Sequence, residues 1–266
     1  MAGLGGEGVL RTYHREEEAR AVIEEAIAQG IAYFDCAKAY AGSEGYYGLV
    51  WPKAQDVRQK VFQASKSASR DKNSALAELD HTLSTMGVDY LDLWQIHDVR
   101  TRTELEVIAG PGGALEAFVQ AKEAGKTRFI GVTGHHDPEV LTTAVREWPV
   151  DSVMMPVNPV EGALGGFLDM TLPEARRKNM AVIGMKTLGA SHYLFPEQGI
   201  TPEILIRYAL SHDITVAIVG CSTPAHVKTL ADAGRDFQPM PPEEQRNLEQ
   251  VFLPHARRFG FYRGVM

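Results

Sequence analysis

Ile31-Ala32-Tyr33-Phe34-Asp35-Cys36-Ala37-Lys38-Ala39-Tyr40-Ala41-Gly42-Ser43-Glu44 is the stretch on which the reading of this chain turns. Its first four residues form an apolar run of strand length, β-branched or aromatic at Ile31, Tyr33 and Phe34. Runs this short belong mostly to strands buried on both faces of a parallel sheet. An acid, Asp35, ends the run, and Tyr40 follows five residues later in a predicted loop. In a β/α barrel the C-terminal strand ends face the reaction site. Asp35 and Tyr40 are thus expected at one mouth. A turn with a solvated Asp and a packing Tyr accounts for these residues alone equally well.

Outward from this stretch the pattern repeats. A helical stripe of Ala19, Val22, Ile23 and Ile27 over 16–29 stops at Gly30. Strands are predicted over 61–65, ending at Lys66, and over 90–96, ending at His97. Further strands cover 127–132, ending at Thr133, then 152–155, 181–185, ending at Lys186, and 215–219. Between them helices are predicted from 73 or 74 to 86 and over 113–124, 140–147, 167–179, 202–211 and 224–233. A last one, 242–252, is extra. Gly3-Leu4-Gly5-Gly6-Glu7-Gly8 matches G-x-G-x-x-G, but a dinucleotide turn needs a strand ahead of it and only Met1 and Ala2 precede. It reads as a worn-down first strand with its loop. About eight strand–helix units in this length favour an α/β fold closed as a (β/α)8 barrel, one domain over 1–266.

Composition sets bounds. A chain of 266 residues buries roughly three-quarters of its unfolded surface and needs no staples. Two cysteines, Cys36 and Cys221, give no disulfide framework, which fits a reducing, cytoplasmic setting. A net charge of −7 without a Lys/Arg block argues against a nucleic-acid partner. No apolar run approaches a membrane span, and no secretory signal opens the chain. A metal is not expected: in His135-His136-Asp137, adjacent side chains rarely converge on one ion.

Asp35, Lys66 and His97 end three consecutive predicted strands and stand 31 residues apart each time. Taken singly, such a lysine is usually solvated and such a histidine satisfied by backbone; together with Tyr40 they are hard to explain as solvation. A phenol, with a pKa near 10, is a poor acid at neutral pH, and a nearby ammonium lowers that value. Asp35 would hold Lys66 charged, and His97 would hydrogen-bond a carbonyl oxygen. The set fits protonation of an alkoxide as hydride is delivered. None of these groups carries hydride, so a nicotinamide coenzyme is implied.

These residues sit in a chain that resembles the aldo-keto reductases over nearly its whole length. The likeness rests on Asp35-Cys36-Ala37-x-x-Tyr40, Gly42-Ser43-Glu44, Ser65-Lys66 and Met86-Gly87-Val88-Asp89-Tyr90-Leu91-Asp92-Leu93-x-x-x-His97. Gly131-Val132-Thr133, Pro156-x-Asn158 and Val182-Ile183-Gly184-Met185-Lys186-x-Leu188-Gly189 extend it. The resemblance implies NAD(P)H-dependent reduction of a small-molecule aldehyde or ketone, NADPH first and NADH as the alternative. It implies Tyr40 as acid, Lys66 and Asp35 tuning it, and His97 orienting the substrate. It places the coenzyme along Gly5, Thr133, Asn158, Lys186, Leu188, Gly220, Ser222 and His226. Substrate entry is expected over 46–48, 99–111 and 188–199, with Trp51 and Trp94 as lining candidates. A homo-oligomer is a possible assembly.

The chain departs from the family pattern in places. Thr133-Gly134 stands for the usual Ser-Asn, with Asn158 or His135 as substitute carboxamide anchors, and Met154 replaces a common Gln. The family's N-terminal hairpin under the barrel is missing, a truncated N-terminus, so segment 252–266 or a partner subunit is expected to cover the barrel bottom. Two other readings compete: a non-catalytic coenzyme-binding barrel acting as redox sensor or accessory subunit, and a lyase or aldolase forming a Schiff base on Lys66. In the loop Gly220-Cys221-Ser222-Thr223-Pro224-Ala225-His226, His226 stands where an arginine usually reads the 2′-phosphate. The preference for NADPH over NADH is therefore expected to be weak and to strengthen modestly from about pH 8 to about pH 6. kcat/KM for both coenzymes at the two pH values, in wild type and His226→Ala, checks this; a large, pH-independent preference surviving the substitution contradicts it.

Overall fold

Eight parallel strands pair in sequence order until the last meets the first, closing a barrel with helices between the strands. The computed structural model describes residues 1–264. The strands are β1 (Ala2–Gly8), β2 (Tyr33–Asp35), β3 (Phe62–Ser67), β4 (Leu91–Ile96), β5 (Thr127–Thr133), β6 (Ser152–Pro156), β7 (Ala181–Met185) and β8 (Val216–Cys221). The predicted α/β barrel is the observed fold.

The first strand is fuller than its sequence suggests. The strand spans all of Ala2–Gly8, and Ala2 to Gly5 register with Ala217 to Gly220 of β8. Glycine is poor in isolated strands, but here the neighbours leave no room for more. A Cβ on Gly5 would lie 3.0 Å from the Gly220 backbone nitrogen. Close approach of two backbones, not β-propensity, makes this a strand.

Lys66 lies within β3 rather than just after it. Segment 99–111, expected as loop, contains the helix Arg102–Ala109, opened by a reciprocal capping box between Thr101 and Glu104. The predicted helix over 167–179 is broken into a π turn, Phe167–Thr171, and the short helix Leu172–Arg177. The helix Ser43–Gly48 buries Tyr46 and Tyr47, so 46–48 is core and not an entrance. The two candidate tryptophans are core as well. Trp51 meets Phe34 edge-on and donates to Gln63 Oε1, and Trp94 stacks on Phe118 outside the barrel.

Inside the barrel, alternate residues of each strand meet in a cluster of Tyr33, Ala64, Leu93, Met154, Ile183, Val216 and Ile218. A larger apolar layer lies between strands and helices, and the extra helix Pro242–Phe252 adds a satellite cluster through Leu248 and Phe252. The C-terminal segment does not cover the bottom, which leaves a partner subunit as the expected cover. Described residues of 252–266 run to the opposite end, where Tyr262 and Arg263 bond to Glu161 just after β6; 265–266 lie outside the described residues. At the bottom, Tyr33 stacks on Phe62 and Phe62 on Phe129, which stays 39% exposed with Arg128 and Lys122 near its ring.

Asp92, inside the most family-like motif, ties three strands together from the outer face of the barrel. Fully buried, it accepts from Arg58 Nη1 at 2.7 Å, from the Gln63 backbone N–H at 2.9 Å and from Arg128 Nη1 at 2.7 Å. Arg58→Ala leaves Asp92 with Arg128 and the Gln63 N–H but removes a buried charge-assisted bond, and is expected to destabilise the fold by about 1–3 kcal/mol, read by urea denaturation, without moving the groups at the mouth.

Candidate active site

The strand registers account for the spacing of 31. Asp35 pairs with Ala64 and Ala64 with Leu93, a step of 29 each time. A spacing of 31 therefore keeps the inward face and climbs two residues per strand. Asp35, Lys66 and His97 rise as a staircase along one wall of the mouth.

The lowest step is a buried ion pair. Lys66 Nζ donates to Asp35 Oδ1 and Oδ2 at 2.7 and 2.6 Å and to the Cys36 carbonyl at 2.8 Å, and both side chains are almost wholly buried. Burial works against the ammonium, but Asp35 and then Tyr40 outweigh it and hold the Lys66 pKa above its usual value. Burial likewise favours a neutral Asp35, yet the bidentate contact fits a carboxylate facing an ammonium, and we take the pair as ionic. With all three N–H groups donated, Lys66 offers no lone pair for a Schiff base.

Tyr40 closes over this pair from the loop after β2. Lys66 Nζ stands 4.8 Å from its ring centroid, the Arg11 guanidinium lies 4.8 Å away, and the His97 ring meets it edge-on at 5.4 Å. A Cβ on Gly6 would sit 2.8 Å from the Tyr40 ring, so the glycine of β1 makes room for the phenol. The expected lowering of the phenol pKa is not found. Burial raises it, and Lys66 opposes without prevailing, because the ammonium faces the ring and gives its protons elsewhere. His97 is driven the other way: burial, with Lys66 adding, lowers its pKa to about 3. Among the described residues neither ring nitrogen of His97 is hydrogen-bonded, so a neutral imidazole faces the cavity.

Two adjoining cavities share this mouth. The smaller, about 490 Å³, is lined by Tyr40, Lys66, His97, Thr133 and His135 among others; the larger, about 560 Å³, runs from Gly5 past Leu188 to Gly220, Ser222 and His226. Lys186, Met154 and Met185 border both. These volumes suit small-molecule sites. The Thr187 hydroxyl, on the wall of the larger cavity, is buried and has no partner among the described residues, and a polar ligand atom there would satisfy it. Thr223 caps the helix Pro224–Arg235, and His226 Nδ1 accepts the Ser222 N–H, leaving Nε2 as the only free ring nitrogen. Lys228 is turned toward Glu25, 4.0 Å away. Among the described residues no cluster of three His, Cys, Asp or Glu side chains could hold a metal ion.

Two expected coenzyme residues stand elsewhere. Asn158 lines neither cavity: its amide donates to the Lys186 carbonyl and to Tyr262 Oη, and its Oδ1 caps Glu161. Thr133 lines the smaller cavity, and its hydroxyl oxygen accepts the Asp98 N–H. His135 is held between the Tyr262 carbonyl, 3.2 Å from Nδ1, and Asp98, 3.3 Å from Nε2. Sequence reasoning missed Tyr262, which donates to Glu161 at 2.7 Å, and it missed Arg70, which binds the His97 and Asp98 carbonyls. No local pattern marks either one. The family's Glu44 is structural, accepting from Ser65 and Thr82.

A sequence profile of the aldo/keto reductase family matches residues 1–198. L-galactose dehydrogenase of Arabidopsis thaliana is 29% identical over 69% of this chain and 59% of its own length. Aldo-keto reductase yakc [NADP(+)] of Schizosaccharomyces pombe is 26% identical over 70% of this chain and 57% of its own. The chain thus spans less than two thirds of these curated relatives. Among solved structures, the holo form of aldo-keto reductase AKR11C1 from Bacillus halodurans matches with a TM-score of 0.76 at 19% identity, covering 94% of this chain and 91% of that one. An aldo-keto reductase from Klebsiella pneumoniae in complex with NADPH matches at 0.74 and 20%, covering 95% and 90%.

The geometry yields a direct expectation. A proton resonance of the His97 ring, followed by NMR, should show no ionisation between pH 5 and pH 8, since its pKa lies near 3. A midpoint inside that window would contradict a neutral imidazole.

Proposed function

The chain belongs to the aldo-keto reductase family, and from that premise we propose that it reduces an aldehyde or ketone to the alcohol, with NADPH as coenzyme and Tyr40 as general acid. One observation carries the reading: Tyr40, Lys66 and His97 line one cavity, with Asp35 paired to Lys66 beneath them, and that cavity adjoins a second, longer one. Gly5, Leu188, Gly220, Ser222 and His226 along the longer cavity are the residues we assign to the coenzyme, while Lys186, expected among them, borders both cavities. The NADP named for two of the relatives above supports the choice, with NADH as a weaker alternative. We read 1–266 as one domain, because residues 1–198 stop short of β8, which closes the barrel onto β1. Two free, buried cysteines fit a reducing, cytoplasmic setting.

A nicotinamide coenzyme, when bound, supplies the hydride. The chain's own residues hold the carbonyl oxygen and supply its proton. Neutral His97 offers one ring N–H to that oxygen and orients it toward Tyr40. Tyr40 gives its phenolic proton to the same oxygen, and Lys66 beneath the ring stabilises the phenolate left behind. Asp35 keeps Lys66 charged and fixed. The alternative, a non-catalytic coenzyme-binding barrel, draws support from the raised phenol pKa and from the engagement of Asn158 and His135. Coenzyme binding without NADPH oxidation on a generic aldehyde such as 4-nitrobenzaldehyde would favour it.

Tyr40→Phe is expected to lower kcat for aldehyde reduction by ~10²-fold or more with coenzyme affinity nearly kept, and Lys66→Met to act in the same direction. Wild-type turnover in Tyr40→Phe would remove Tyr40 from its role. Reduction needs the protonated phenol, so activity is present below the Tyr40 pKa and lost as pH rises through it. Because burial raises that pKa, kcat should stay flat up to about pH 10.

A further inference from the structure

Each cation lining the smaller cavity but one has its carboxylate. Lys66 faces Asp35, Arg11 faces Glu7, Arg70 faces Glu104 and Arg100 faces Asp98. Lys186 has none: among the described residues its ammonium makes no hydrogen bond and no ion pair, and the half-buried side chain lines the cavity. Its position is fixed. The backbone at Lys186 is left-handed, with φ of 58°, and its carbonyl is bound by Asn158, whose amide also holds Tyr262. The ammonium stands 5.7 Å from the centroid of that tyrosine's ring. The charged groups that act on it most, Glu7, Arg11, Asp98 and Lys66, all line the smaller cavity.

A half-buried ammonium that faces a cavity without a counter-ion attracts an anion more strongly than one in bulk water, because the protein around it screens less. The neutral side chains of this cavity offer an anion no full charge: Thr133 accepts the Asp98 N–H, and His135 gives its Nδ1 proton to the Tyr262 carbonyl. We propose that the substrate is an anionic carbonyl compound, an aldehyde or ketone bearing a carboxylate or a phosphate, and that Lys186 is the residue that selects it by pairing with that anion. The inference rests on the carbonyl-reduction reading and deepens it. His97 and Tyr40 take the carbonyl oxygen, while Lys186 takes the charge across the cavity.

Matched substrates of similar bulk test this. At saturating NADPH, kcat/KM is measured for 4-carboxybenzaldehyde against 4-nitrobenzaldehyde, and for glyceraldehyde 3-phosphate against glyceraldehyde. Wild type should favour the anionic member of at least one pair, the favoured pair telling carboxylate from phosphate. Lys186→Met should cut that ratio by ~10- to 100-fold, mainly through KM, the worth of one charge-assisted bond. Lys186→Arg should restore most of it. A binding arm is independent of turnover: calorimetry with 4-(hydroxymethyl)benzoate should show affinity in wild type that Lys186→Met loses. If no aldehyde is turned over but this difference in binding persists, the reductase reading fails and the anion site stands. No anionic preference in wild type overturns the proposal. So does an equal loss for both members of each pair in Lys186→Met with weakened NADPH binding, which would make Lys186 a coenzyme residue only.

Discussion

The salt bridge of Lys66 with Asp35 sets the terms for everything around the mouth. Two ions taken almost wholly out of water cost several kcal/mol each, and only good geometry and further bonds offset that. Here the compensation is a bidentate contact plus the Cys36 carbonyl, so the ammonium is locked in place and its charge is fixed. That charge then acts on its neighbours. It helps keep His97 neutral and opposes the rise of the Tyr40 pKa, so the protonation states above it follow from the pair beneath. Because neither partner is stable there alone, strands β2 and β3 have little freedom to slip past each other.

How much of this was legible in the sequence differs by kind of residue. The staircase was, because strand register converts a repeated spacing of 31 into a shared face, and both can be read from an apolar run and the polar residue ending it. The barrel was legible for the same reason. The first strand was not: glycines say nothing of β-structure when the cause is the closeness of a neighbouring backbone. The helix Arg102–Ala109 carried a readable signal in Thr101 and Glu104, overlooked because its apolar stripe is thin. Tyr262 lay beyond reach for a deeper reason. Its partners Asn158 and Glu161 stand about a hundred positions earlier, and no local pattern encodes contacts of that range. The same remoteness hid that Asn158, correctly noticed, was already engaged.

The direction of the phenol shift shows how a correct list of neighbours can mislead. Lys66 beside Tyr40 suggested a lowered pKa, and the lysine is there. What distance along the chain does not convey is orientation and depth. The ammonium lies against the ring with its protons spent, and the burial that brings the two together opposes the phenolate more strongly than one charge favours it.

The strand built from glycine has a consequence for how the ring of strands is held. Around most of the barrel, neighbouring strands are locked by side chains as well as by backbone. At the join of β1 with β8 the contribution from β1 is chiefly backbone, and the register slips between Gly5 and Gly8. That join is also where the chain's two ends must find each other, the contact of longest loop and latest entropic reward. It is the seam of the barrel, where the first strand of the chain meets the last. The larger cavity lies across that seam, with Gly5 on one lip and Gly220 on the other. A small molecule lodged there acts as a clasp, and its binding energy is added to the stability of the closed ring.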